Sequence, residues 1–395
     1  MLIIQVPIVS ILKEEYIMKK EKLKLISLLL AAVFAVVFLS ACSGKSAEPD
    51  KAASGQGGKT IDYSKIKIGE ITSLVVNDGG WCQATHQSIL AAMKELGIPE
   101  ENLLVIENVA EEQVAVANAY EALVSEGANL IIGASSGYAT FLSDLAAQNP
   151  DVIVAQHGDR TENLIGYQIR NYEGMFLAGY ACALMSDNDL LGFAASMSEA
   201  SVRAAINGYA LGAKYANPNA KVQVVWANSW YDVDLETQSA QTLINQGIKY
   251  MGMEASSPAI PQTCEAKGAY CIGYNVDMKA LAPKAVLFSY VWNFKPIFEK
   301  IITSVAEGTA TSSDYYYEGG ECASITEFND DLVPKDVQEK VLKVKEDIAN
   351  GKIKVYGGEL KDNKGNVLVA AGETMSDEMI NTQEFLVENV IGDWR

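Results

Sequence analysis

The sequence predicts an α/β protein built as two similar lobes, each a doubly wound parallel sheet. Three observations predict it. Short apolar runs alternate with amphipathic helical segments, and the loops between them are short, as parallel sheets require. The pattern restarts near residue 175. A strand, Ala134-Ser135-Ser136, a helix and a strand in the first half are echoed by a strand, Ala255-Ser256-Ser257, a helix and a strand in the second. The two repeated halves, 62–167 and 168–283, hold about 110 residues each, room for about five strands.

The N-terminal segment does not read as part of the fold. From Met18, lysines at 19, 20, 22 and 24 precede the apolar run Leu25 to Leu39 and the small-residue sequence Leu39-Ser40-Ala41-Cys42. The run is short for a membrane span, so 18–41 reads as a signal peptide. Cys42 in that setting resembles a lipobox, which implies cleavage before Cys42 and a lipid on its sulfur. Residues 1–17 precede a complete signal peptide and read as a mis-assigned start. Residues 42–61 are small, polar and Gly-rich, a flexible tether with a mean reach of about 20–25 Å.

The first lobe opens with an apolar stretch, Ile66 to Val76, read as a buried strand. The sequence from Asn77 to His86 then forms a strand-to-helix turn carrying Asp78, Trp81 and His86, with the helix beginning near Ser88. Asp78 as a helix cap and Trp81 as core filling are the structural alternatives. Strand 103–106, helix 111–125, strand 130–132, helix 138–148 and strands 152–155 and 165–169 follow. The second lobe reads as helix 175–185, strand 190–194, helix 200–215, strand 222–226, helix 234–245, strand 250–251, helix 258–266 and strand 270–273. Beyond these come strand 285–291, helix 295–307, strand 314–318, an amphipathic helix on Val337, Val341, Val344 and Ile348, and a hairpin tip at 360–367. The expected lobes are 62–167 with 284–318, and 168–283 with 319–395.

Charge and cysteine usage restrict the function. Five lysines and three glutamates lie upstream of Cys42, leaving 26 basic and 47 acidic residues, net −21. Such a surface repels nucleic acid and anionic lipid. Five cysteines remain past Cys42 with no C-x-x-C, so neither a disulfide framework nor a zinc site is signalled. No Walker loop or G-x-G-x-x-G follows a strand, which leaves phosphates and dinucleotides unsupported. No cofactor or metal is expected.

Gly133-x-Ser135-x-Gly137, after a strand and before a helix, has the pattern of a nucleophile elbow. A hydrolase using Ser135 would need an acid and a histidine downstream. Only His157 follows, on the next strand, without a persuasive carboxylate partner. The serines of this turn, Ser135 and Ser136, beside Tyr138, serve a ligand cleft equally well. Aromatic and polar residues collect at the carboxyl edges of the strands, where open parallel sheets bind ligands. Trp81 and Asp78 follow the first strand, and Asn228-Ser229-Trp230-Tyr231-Asp232 a later one. Tyr274-Asn275-Val276-Asp277 and Trp292-Asn293-Phe294 follow two others. Indole faces suit planar rings, and carboxylates or amides suit ring N–H and hydroxyl groups. Arg170 and Lys295 are the only cations near these turns, so an anionic ligand is not expected.

Together, Asp78-x-Gly80-Trp81 with His86, Glu107-Asn108-Val109-Ala110-Glu111, Tyr172-Glu173-Gly174 and Asn228-Ser229-Trp230-x-Asp232 resemble the basic membrane protein family. These lipoproteins are substrate-binding components of nucleoside-type ABC importers. The resemblance implies a type I periplasmic-binding fold, two lobes with a hinge and a ligand cleft between them. It also implies a purine base or nucleoside as ligand, permease subunits as partners, and no catalysis. Another neutral solute such as a sugar is the alternative. Candidate ligand-binding residues are Asp78, Trp81, His86, Asn108, Ser135, Ser136, Tyr138, Asn171, Trp230, Asp232, Asp277 and Trp292. Ser256 stands where the family resemblance would place an acidic residue. The expected protein is a lipid-anchored monomer on the extracytoplasmic face of the cell membrane.

Overall fold

The computed structural model describes residues 61–158 and 160–394. The leader, Cys42 and nearly all of the tether lie outside these. Fifteen strands and ten α-helices form two large sheets and a small hairpin among the described residues.

In the first half the strands are β1 (Ile68–Ile71), β2 (Leu103–Ile106), β3 (Leu130–Gly133), β4 (Ile153–His157) and β5 (Ile165–Ile169). The helices between them are α1 (Trp81–Glu95), α2 (Gln113–Ser125) and α3 (Ala139–Gln148). The second half supplies α4 (Asn171–Met185), β6 (Leu190–Ala195), α5 (Ala200–Ala216), β7 (Lys221–Trp226), α6 (Val233–Asn245), β8 (Tyr250–Glu254), α7 (Ala259–Lys267) and β9 (Tyr270–Gly273). Next come β10 (Val286–Trp292), α8 (Lys295–Glu307), β11 (Tyr315–Glu318), β12 (Ala323–Ile325) and α9 (Lys335–Ala349). The chain closes with β13 (Leu360–Lys361), β14 (Val367–Val369), α10 (Asp377–Asn381) and β15 (Val390–Ile391).

The first sheet has the order β11-β5-β4-β3-β1-β2 and is parallel throughout. The second has the order β12-β10-β9-β8-β6-β7-β15, with only β12 antiparallel. The chain therefore passes between the sheets after β5, after β10 and after β11. Backbone bonds tie these crossings to one another: Arg170 N–H donates to Glu318 O at 2.7 Å and Asn293 N–H to Cys322 O at 3.1 Å.

Each strand run is near-continuously apolar because helices cover both faces of the sheets. In the first sheet, Ile68 and Ile132 face α1, while Ile71 and Ile131 belong to a separate cluster with Val116, Tyr120 and Leu142. In the second, α4 and α5 pack against each other. Their backbones come so close that a Cβ on Gly179 would lie 1.8 Å from Tyr209 O, and one on Gly212 would lie 1.9 Å from Phe176 O. Only glycine permits that crossing. Cys82, Cys182, Cys264, Cys271 and Cys322 are free thiols, all buried.

Three expectations are corrected. The strand expected over 66–76 ends at Ile71. Residues 72–80 form a loop in which the Thr72 hydroxyl bonds Leu74 O and Leu74 and Val75 are exposed. The helix starts at Trp81 rather than Ser88, because Gly79 turns the chain at φ +73° and Asp78 receives the first helical N–H groups. Strand 286–292, expected with residues 62–167, lies in the second sheet. Val286 and Ser289 register with Cys271 and Gly273 of β9, and Leu287, Phe288 and Tyr290 are fully buried there.

Candidate functional site

The carboxyl ends of the two sheets face a cleft of about 410 Å³, within the range typical of small-molecule sites. Its first-sheet wall is built from the β1–α1 loop, the β3–α3 turn and the end of β4. Its second-sheet wall comes from the ends of β6, β8, β9 and β10 and the β7–α6 loop. Among the described residues, no lysine or arginine lines it. Arg170 instead pairs with Asp377 and Lys295 with Glu299.

Trp81, half-buried at the start of α1, is the centre of an aromatic cluster. Its ring stands edge-on to Trp292 (5.2 Å between centroids, 84°), Phe294 (5.6 Å) and His157 (4.6 Å). Trp292 in turn stacks on Phe294 at 6°. The Trp81 indole N–H donates to Ala134 O, which fixes the ring against the β3 end. Asp78 precedes the helix and accepts from Gly80 N–H (2.8 Å), Cys82 N–H (3.2 Å) and Gln83 N–H (3.0 Å). It therefore caps α1 while lining the cleft.

The Ser135 hydroxyl donates to Glu111 and accepts from Gly137 N–H. Neither histidine is bonded to Ser135. His86 Nδ1 lies 2.6 Å from the buried Glu70 carboxylate, and that hydrogen bond raises its pKa. His157 Nε2 has no hydrogen-bond partner. Ser135 thus lacks the base that an elbow serine needs.

The second-sheet wall carries polar atoms of a different kind. Glu254, at the end of β8, is 4% exposed; its Oε1 accepts from Tyr274 OH at 2.8 Å and its Oε2 has no partner. Burial pushes its carboxyl up to about 8. Asn275 is 2% exposed; its Oδ1 accepts from Trp292 Nε1–H at 2.9 Å and its Nδ2 has no partner. Ser196 Oγ is likewise unpartnered. His157, on the opposite wall, is held neutral, since burial lowers its pKa to about 4. Buried polar atoms without partners are rare in folded proteins, and a group of them lining one cleft marks where a ligand's polar edge belongs.

Of the residues expected from sequence, Asp78, Trp81, Ser135, Ser136, Trp230 and Trp292 line the cleft. The other six do not. His86 points back into the first sheet toward Glu70. Tyr138 is fully buried and donates to Val109 O at 2.7 Å. Asn171 opens α4 and donates to Ser201 O. Asp232 caps α6, accepting from the backbone of Asp234 and Leu235. Asp277 is exposed and accepts from Lys279 N–H. Asn108 is exposed at φ +56° two residues past β2, as Asn228 (+54°) is past β7 and Asn275 (+69°) past β9. Asparagine tolerates this left-handed conformation better than most residues, so these positions first serve to turn the chain off a strand.

Sequence reasoning missed Glu254, Asn275 and His157 as candidates. Asn275 and Asp277 shared one motif, and a strand ended at Glu254 instead of Met251 would have placed that carboxylate at the ligand-binding edge.

Residues 65–359 match the family described as ABC transporter substrate-binding protein, PnrA-like. The chain belongs to the Bmp family. A purine-binding protein of Brucella abortus is 29% identical over 337 residues, covering 85% of this chain and 95% of its own. A putative ABC transporter glucose-binding protein of Haloferax volcanii is 28% identical over 344 residues, 85% of this chain and 82% of its own. Among solved structures, a solute-binding protein of an ABC transporter from Conexibacter woesei superposes with a TM-score of 0.61 at 18% identity, covering 73% of this chain and 97% of its own. At that identity the likeness speaks for the fold alone. This Bmp-family chain is thus an ABC transporter substrate-binding protein with the periplasmic-binding α/β fold, and its cleft lies where the two sheets meet.

Proposed function

We propose that the protein captures a purine base or purine nucleoside outside the cytoplasmic membrane, anchored by a lipid on Cys42, and delivers it to the permease of an ABC importer. The observation that carries this reading is the pairing of an aromatic cluster, Trp81 with Trp292 and His157, with unpartnered polar atoms on the same cleft. A flat heterocycle with a polar rim satisfies both at once, its faces on the rings and its edges on the polar atoms. A lining without lysine or arginine among the described residues supports a neutral ligand over an anionic one. The purine-binding relative from Brucella supports the same class.

A monosaccharide is the second reading, favoured by the Haloferax relative. Against it, Asp78, the carboxylate best suited to sugar hydroxyls, already accepts three backbone N–H groups. Calorimetric titration with hypoxanthine, adenine, inosine, adenosine, glucose and ribose separates the two. Saturable binding of purines with no signal from either sugar is expected; glucose binding with no purine signal sinks the reading. The anchor has its own test, since Cys42→Ala is expected to leave the protein unprocessed or release it from membranes. Unchanged size and membrane fractionation would remove the lipid.

A further inference from the structure

Resting on the purine reading, we propose that Glu254 and Asn275 form a pair of hydrogen-bond donors that reads the O6/N7 edge of the ring. The cleft thereby selects 6-oxopurines over 6-aminopurines.

One of the two groups is fixed by a partner whose sense is known. An indole nitrogen only donates, so the Asn275 atom 2.9 Å from Trp292 Nε1 must be the carbonyl oxygen. The other end of that amide is therefore the NH₂, a donor, and it is buried without a partner. Asn275 lines the cleft, and its backbone lies at φ +69° two residues past β9.

Glu254 is held by a hydroxyl instead of a donor-only group. Tyr274 OH donates to Oε1, and Oε2 is left buried and unpartnered. Burial raises the carboxyl to about 8, and the nearby Glu199 acts in the same direction, so near neutral pH the group is the acid and its free oxygen carries the proton. Glu254 then presents an O–H, not a pair of acceptors.

The two residues come from neighbouring strands. β8 and β9 are adjacent and parallel, with Met251 opposite Cys271, so Glu254 and Asn275 emerge at the same end of neighbouring strands. Ser196 and neutral His157 also lack partners, but a hydroxyl or an imidazole can donate or accept and does not discriminate. A 6-oxopurine presents two adjacent acceptors, O6 and N7, whereas adenine presents an N–H₂ donor beside N7. Two donors match the first. Against adenine, one of them meets another donor in a buried site.

The test is calorimetric titration of the full chain with hypoxanthine, adenine, inosine and adenosine, alongside melting curves. The parent is expected to bind the oxo member of each pair about 10-fold or more tighter than the amino member. Glu254→Gln keeps a neutral donor at that position and is expected to retain the preference. Asn275→Asp keeps the acceptor that Trp292 needs but replaces the donor with a carboxylate oxygen. It is expected to lose about 10-fold or more in hypoxanthine affinity while adenine changes less. If Asn275→Asp does not fold, Glu254→Leu decides: it removes one donor and is expected to shrink the oxo-to-amino ratio by a similar factor. Equal binding of adenine and hypoxanthine by the parent, or an unchanged ratio in folded Asn275→Asp or Glu254→Leu, overturns the donor pair and leaves the purine reading standing. A parent that binds none of the four overturns both.

Discussion

The two walls of the cleft use their polar groups in opposite ways. On the first-sheet wall, His157 Nε2 apart, the polar groups of Asp78, Trp81 and Ser135 are already occupied by the protein. Asp78 holds three backbone N–H groups, the Trp81 N–H is bound to Ala134 O, and the Ser135 hydroxyl to Glu111. On the second-sheet wall Glu254, Asn275 and Ser196 each keep one buried polar atom without a partner. The first wall is therefore a rigid surface whose shape is set before any ligand arrives. The second wall carries hydrogen-bonding capacity that only a ligand or water can meet. Substitutions on the first wall should lower stability, and on the second they should change recognition with the fold intact.

The largest expected break comes from Trp81→Ala. Removing an indole packed against Trp292, Phe294 and His157 should cost about 3 kcal/mol of stability, and affinity for every purine should fall by about 1–3 kcal/mol as a stacking surface is lost. Denaturant melts and titrations on the same preparation check both. Purine affinity equal to the parent's would place the site elsewhere.

A smaller effect is expected from Asp78→Ala. Loss of the cap on α1 should lower stability by about 1–2 kcal/mol, with the ranking of ligands unchanged, because its acceptor capacity serves the helix. A variant that melts like the parent but reorders its ligands would move Asp78 into the second wall's category.

The effect of Glu254→Gln on stability is smallest near pH 5 and shows as a slope. The Glu254 pKa rises from about 4.5 to about 8 on folding, so the folded state holds a proton that the unfolded chain gives up. Its contribution is fully present below about pH 4.5 and is lost as pH rises through about 8. His157, lowered to about 4, acts in the other direction: its contribution is present above about pH 6.5 and is lost as pH falls toward 4. Glu254→Gln should flatten the decline in melting temperature between about pH 4.5 and 8 and leave the His157-dependent loss toward pH 4 as it is. A slope between about pH 4.5 and 8 identical to the parent's would mean that Glu254 is already ionised in the folded protein.

The order of elements was legible because burial on both faces leaves strands such as Leu130–Gly133 and Tyr270–Gly273 as short apolar runs between Gly and polar punctuation. The site was legible only where chemistry and position coincided, as with Trp81, Ser135 and Trp292. Apolar composition misled at Leu74 to Val76, which extend the hydrophobic run but belong to an exposed loop. Local pattern could not say which polar residue of a turn faces inward. In Tyr274-Asn275-Val276-Asp277 the carboxylate caps the next turn, and the amide, whose orientation depends on Trp292 seventeen residues away, faces the cleft. Glu254 was hidden for a similar reason: a buried carboxyl held by Tyr274 is a tertiary fact without a local periodicity.

The buried cysteines make the molecule a convenient chassis for a reporter. Cys182 and Cys322 are pushed up to about 12 by burial, and even Cys82, at the cleft wall, to about 11, so their thiolate fractions at neutral pH are negligible. With Cys42 lipidated or removed, a single cysteine introduced at Tyr231, which is 49% exposed on the cleft rim, would be the one thiol among the described positions open to a fluorescent maleimide. Light emission from that dye would then report solute arriving at the cleft in real time, without any cysteine having first to be deleted from the described fold.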